Sequence, residues 1–174
     1  MYGQFITFTL SYCFINGITF VSYISIQANI PKKQVEDALS ELQRKVRSKN
    51  ATSEDYYLLG TIYLSKKLFD QAIIQFRYAL KLWDKNDREG IANLYNTVGF
   101  TYSESNQYDL AIYYYSEAIK NLSNYTTALN NLGYAYEKQG NFGEAIKTYK
   151  AVISYNEDNE VATNRLQLLK RRTK

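Results

Sequence analysis

Polar and apolar positions divide the chain into three stretches of different character. No charged side chain stands between Met1 and Pro31, a stretch rich in Phe and Ile from Phe5 to Ile26. Val35, Leu39, Leu42 and Val46 then recur at intervals of four, three and four, which predicts an amphipathic helix. From residue 53 a longer pattern runs three times. Leu59-Gly60-x-x-Tyr63, Val98-Gly99-x-x-Tyr102 and Leu132-Gly133-x-x-Tyr136 each open a unit. Twelve residues after each Gly stands Ala72, Ala111 or Ala145, and four further on Phe76, Tyr115 or Tyr149; Ala79, Ala118 and Val152 complete the set. The spacing predicts a pair of helices per unit. Small residues let the two approach closely, and large aromatic ones fill the space beside that contact.

The turn between the paired helices falls at Asn106 and Gly140, residues that tolerate left-handed backbone, with Lys67 at the corresponding place in the first unit. Phe69, Tyr108 and Phe142 mark where each second helix begins. Gly99 to Gly133 is 34 residues, whereas Gly60 to Gly99 is 39, the excess falling in Asp84–Gly90. That insertion is expected to lengthen a turn or extend a helix, with Trp83 packed beneath the next unit. Ser53 is a candidate N-cap for the first helix.

This apolar-Gly-x-x-Tyr…Ala-x-x-x-aromatic pattern resembles the tetratricopeptide repeat, a helix–turn–helix unit that stacks into a solenoid. The resemblance implies an all-α, right-handed solenoid of three such repeats with a C-terminal capping helix, preceded by a hydrophobic N-terminal helix. The expected organisation is a hydrophobic segment over 1–31, a linker helix over 32–52, repeats over 53–86, 92–125 and 126–159, and a capping helix with basic tail over 160–174. Val161, Leu166 and Leu169 mark the last helix.

Composition narrows the function. The chain has no His, one Cys and one Met, so triads built on His, His-based metal sites and an intramolecular disulfide are excluded. No Gly-rich phosphate loop and no spaced carboxylate pair is present. No enzyme activity, cofactor or metal is expected. The formal net charge of +4 is uneven. Residues 32–49 hold six basic side chains against three acidic, residues 165–174 five basic and no acidic, and the remainder ten basic against fourteen acidic. No nucleic-acid motif accompanies the basic tail, so no nucleic-acid partner is expected.

Residues Phe5 to Ile26 would span roughly 33 Å as a helix, enough for a bilayer core. Three readings compete for the segment: an uncleaved membrane anchor, a cleaved signal peptide, and a soluble or peripheral segment. The anchor is favoured, because the start has no basic side chain and Ile26-Gln27-Ala28 is a poor cleavage signal. Lys32 and Lys33 directly after it would place the repeats on the cytosol-equivalent side.

The full layout, from uncharged segment through Lys32-Lys33 and three repeats to a basic end, is similar to a small tetratricopeptide family of cyanobacteria and red-algal plastids linked to photosystem I assembly or stability. That resemblance implies a non-catalytic interaction scaffold at the thylakoid membrane with repeats in the stroma, or at the equivalent cyanobacterial face. Its partners would be proteins, photosystem I subunits or assembly intermediates among them. Family register implies a groove lined by Tyr57, Thr61 and Leu64 in the first unit, Asn93, Asn96 and Phe100 in the second, and Thr127, Asn130 and Tyr134 in the third. Glu104, Glu137 and Lys138 stand at its rim. Asn side chains there can clamp a peptide backbone, with ordinary solvent exposure as the competing reading.

Two alternatives stand beside the scaffold. One is a membrane-anchored preprotein or chaperone docking receptor, although Tyr57, Thr61, Thr127 and Asn131 occupy the places where receptors of chaperone tails carry basic residues. The other is a pigment or lipid carrier using the aromatic-rich groove, with no His to ligate a chlorophyll magnesium.

Overall fold

The computed structural model describes residues 32–172, and within them every regular element is a helix. The hydrophobic helix and anchor expected over 1–31 lie outside the described residues, as do the last two residues of the basic tail. No helix among the described residues is long and apolar enough to cross a membrane.

Helix α1 (Lys32–Arg47) is the amphipathic helix that the 4-3-4 spacing predicts. It packs on α2 (Ser53–Ser65) by setting Leu42, Val35, Leu39 and Val46 against Leu59 and Ile62. Salt bridges from Glu36 to Lys66 (2.6 Å) and from Lys45 to Asp55 (2.7 Å) tie its two ends to that unit. The cap of α2 is Thr52, one residue before the expected Ser53. The Thr52 hydroxyl accepts from the Asp55 amide, while the Asp55 carboxylate accepts from the Thr52 amide. Asp55 stands three residues after Thr52, where it closes a capping box; three residues after Ser53 comes Tyr56, which cannot.

The three helix pairs follow in order: α2 with α3 (Phe69–Leu82), α4 (Arg88–Glu104) with α5 (Tyr108–Asn121), and α6 (Thr126–Lys138) with α7 (Phe142–Tyr155). Within each pair the turn takes one form. Lys67, Asn106 and Gly140 lie in the left-handed region, with φ of 59°, 61° and 79°. The next residue donates its amide five positions back, Leu68 to Tyr63, Gln107 to Tyr102 and Asn141 to Tyr136. This is the Schellman arrangement. Lys67 adopts it without the freedom of glycine, at a cost of about 1–2 kcal/mol.

The aromatic of each second helix lies directly across the glycine of the first. A Cβ at Gly60 would stand 2.5 Å from the Phe76 ring, and at Gly99 and Gly133 it would stand 2.7 Å from Tyr115 and Tyr149. All three rings are buried, with Ala72, Ala111 and Ala145 also fully inside. Fully burying each ring stabilises the fold by about 1.5–3 kcal/mol.

The five extra residues between the first two units resolve into helix. Helix α4 begins eleven residues before its glycine, whereas α2 and α6 begin seven before theirs, so four of the five form one added turn. Asp87 starts that turn by accepting from the Gly90 amide (2.8 Å) and from the Trp83 indole Nε1 (2.9 Å). Trp83 is buried among Ile91, Leu94 and Phe76, packed beneath the second unit as expected.

Each helix packs on its neighbours in the chain, and α4 also meets α6 directly. First helices therefore line one side of the stack and second helices the other. Helix α8 (Glu160–Arg172) closes the array by burying Ala162, Leu166 and Leu169 against Leu129, Tyr149 and Val152. Val161, expected in that apolar set, is exposed, and Ala162 takes its place.

Candidate functional site

The side lined by first helices holds the residues that the repeat register singles out, and packing sorts them. Thr61, Leu64 and Asn96 are buried. Thr61 turns its hydroxyl back to the Tyr57 carbonyl (2.9 Å), and Leu64 joins the core around Phe76 and Trp83. These three present almost no surface to a ligand, because the adjoining helices cover them. Tyr57, Asn93, Phe100, Thr127, Asn130 and Tyr134 are half-buried and keep part of each side chain at the surface.

The asparagines are brought together across the repeats by hydrogen bonds. Asn131 Nδ2 donates to Asn96 Oδ1 (2.9 Å), and the Tyr125 hydroxyl donates to Asn93 Oδ1 (2.6 Å). The first bond joins α4 to α6, and the second joins α4 to the residue that caps the start of α6. Burial pushes the Tyr125 phenol well above the ordinary tyrosine range, so it remains a donor. One repeat further on, Asn130 Nδ2 donates to Asn159 Oδ1 (3.4 Å), which also accepts from the Ala162 amide at the start of α8. The Asn130 carbonyl oxygen is buried with no hydrogen-bond partner. A buried acceptor left unmade costs about 1–3 kcal/mol.

The far end of this side is cationic. Lys138 Nζ lies 5.2 Å from the Tyr134 ring centre, and the Arg165 guanidinium lies 5.6 Å from it. Arg165 also approaches Glu137 at 3.8 Å, and Glu137 accepts from the buried Tyr149 hydroxyl at 2.7 Å. Burial, together with that carboxylate, pushes the Tyr149 phenol upward. At the near end Tyr57 sets its ring 5.9 Å from Phe76 and 6.1 Å from Trp83. Glu104 is exposed at the rim.

Arg165 and Tyr125 are the residues that reading the sequence missed. Arg165 looks like part of a basic tail, yet it stands 34 residues after Asn131, one repeat further in the same register. Asn159 follows Tyr125 by the same interval. Continuing the repeat register into the cap would have found Arg165 and Asn159. Among the described residues no group of acidic or sulfur side chains could hold a metal. Chemically the surface offers aromatic faces, amide donors and two cations over a ring, an arrangement suited to holding a polypeptide segment.

Comparison with known sequences agrees with this geometry. Tetratricopeptide repeat profiles match residues 55–124 and 126–159, which defines the class: the chain is built from tetratricopeptide repeats. Its relatives are narrower. It is 42% identical over 167 residues to the ycf37 protein of Guillardia theta, covering 94% of both chains. It is 31% identical to PYG7 of Arabidopsis thaliana, a chloroplastic tetratricopeptide repeat domain-containing protein, over 88% of this chain and half of that one. The chain belongs to the ycf37 family of tetratricopeptide repeat proteins, and the kinship with a chloroplastic protein supports a plastid location. Among solved structures, the first repeat domain of Spaghetti (RPAP3), determined with the HSP90 peptide SRMEEVD, shares the fold. The TM-score is 0.62 at 20% identity, covering 70% of this chain and 93% of that domain.

Proposed function

We propose that the chain is a non-catalytic scaffold that holds a protein segment along its first-helix side, and that it does so at the thylakoid membrane, facing the stroma, in photosystem I assembly or stability. The observation that carries the binding role is the line of half-buried Tyr57, Asn93, Phe100, Asn130 and Tyr134 on one side of the stack, ending at Lys138 and Arg165. The kinship with a chloroplastic protein and the uncharged residues before Lys32-Lys33 support the setting. A membrane tether raises the effective concentration of partners, so a weak contact suffices.

Affinity isolation of the full-length protein from solubilised thylakoids tests this reading. Photosystem I subunits should be recovered, and Tyr134→Ala should reduce their yield. Recovery of unrelated complexes alone rejects it. A second reading is a docking receptor for an acidic polypeptide end, favoured by the two cations stacked at Tyr134. An acidic peptide competing for the surface, with binding lost in Arg165→Ala, would support that receptor role.

A further inference from the structure

The second helices face outward, and α3 differs there from its two counterparts. Ile74, Tyr78 and Leu82 are 49%, 50% and 51% exposed. They stand at i, i+4 and i+8, so they form one line along the helix. Exposed Arg77 and Lys81 flank the line, and Asp70 in the first turn is the one acidic residue of α3. At the same register α5 carries Tyr113, Glu117 and Asn121, and α7 carries Lys147, Ala151 and Tyr155. Tyr78 stacks one side of its ring on Tyr56 of α2, 5.2 Å between ring centres, and the other units fold without an apolar line at this register.

Its surroundings are basic. The 2.6 Å salt bridge from Glu36 to Lys66 sets the start of α1 beside the turn that leads into α3. That edge gathers Lys32 and Lys33 from α1 with Lys66 and Lys67 from the turn, next to exposed Leu68. The 31 uncharged residues of the chain join the body at this edge.

We infer that the outer face of α3 and this basic edge form a docking surface for an anionic lipid membrane. The inference rests on the proposed membrane setting. Ile74, Tyr78 and Leu82 enter the boundary between head groups and acyl chains, with Tyr78 suited to that depth by its apolar ring and polar tip. Arg77, Lys81, Lys67, Lys32 and Lys33 lie among the anionic head groups. The repeats then stand on the membrane by their outward side, which leaves the first-helix side free for a protein.

The test uses the full chain with Cys13→Ser, so that an environment-sensitive fluorophore can be placed at one site. Labels go on Ile74→Cys, on Leu82→Cys as a second exposed site of the line, and on Lys147→Cys as the matching position of the third unit. Vesicles contain phosphatidylcholine and phosphatidylglycerol with an acyl-chain quencher. Labels at 74 and 82 should shift to the blue and be quenched, while the label at 147 stays unchanged. Arg77→Glu with Lys81→Glu should weaken partitioning by roughly tenfold or more. Vesicle binding with 74 and 82 as silent as 147 overturns the inference and leaves a tether through the first 31 residues standing. Failure of the full chain to bind vesicles at all overturns both.

Discussion

Replacing Gly99 by Ala inside α4 should destabilise the protein, against the usual effect of that change in a helix. Ala in a helix interior is favoured over Gly by about 1 kcal/mol. Here the new methyl would stand 2.7 Å from Tyr115 Cδ1 and 2.8 Å from Cε1, about 1 Å inside ordinary carbon contact. The ring cannot swing aside, because Tyr115 is fully buried between α4 and α6. Overpacking of this kind costs about 1–3 kcal/mol, so the net loss should reach up to about 2 kcal/mol, a fall in Tm of up to about 8 °C. Gly143, near the start of α7, is the control: a Cβ there meets nothing within 4 Å. Gly143→Ala should gain about 0.5–1 kcal/mol. Urea denaturation followed by far-ultraviolet circular dichroism reads both as shifts of midpoint at constant slope. In a Tyr115→Leu background most of the Gly99→Ala penalty should disappear, a coupling that a double-mutant cycle measures. If Gly99→Ala unfolds at the same urea concentration as Gly143→Ala, close approach is not why glycine stands at this position.

Other consequences can be measured on the same preparations. Lys67→Gly should raise stability by about 0.5–1 kcal/mol, since glycine relieves the left-handed turn that Lys67 holds at φ 59°; a loss in thermal melting would contradict the strain. Thr52→Ala removes one half of the capping box and should cost about 1 kcal/mol, visible as earlier urea unfolding. Alkaline titration followed by tyrosine absorbance should show Tyr115, Tyr125 and Tyr149 resisting ionisation, since burial raises all three above the ordinary value of 10.0. A raised phenol favours the fold fully below the unfolded value of about 10, and the contribution drains away as pH climbs from there toward the folded values. All phenols titrating together near pH 10 in the folded protein would refute that burial.

The helices were legible because a threefold pattern repeats small and aromatic residues at positions where chain geometry demands them. Spacing paired Gly60, Gly99 and Gly133 with Ala72, Ala111 and Ala145 and set the aromatics beside that contact, whereas the rings of Phe76, Tyr115 and Tyr149 lie directly across the glycines. Finer points depended on neighbours that spacing does not reveal. The cap fell on Thr52 because Asp55 could answer it, and the Asp84–Gly90 insertion became helix because Asp87 could hold both Trp83 and Gly90. The first-helix side was only half legible. Register correctly put Tyr57, Asn93, Phe100, Asn130 and Tyr134 on first helices, but it could not tell that Thr61, Leu64 and Asn96 are covered by adjoining helices. Arg165 was hidden by its company: among basic tail residues its charge looked like solubility, whereas its place one repeat after Asn131 sets it against Tyr134.

Trp83 gives the molecule a local optical reporter. It is the sole tryptophan of the chain, buried where α3 ends, with its indole N–H held by Asp87 at the start of α4. A stack of repeats is stabilised by nearest-neighbour interfaces and can part at one of them before the rest. Indole emission in this protein therefore watches a single seam, between the first and second units, while circular dichroism watches every helix at once. Any gap between the two signals during unfolding measures how independently the first unit and its α1 helix separate from the units behind them.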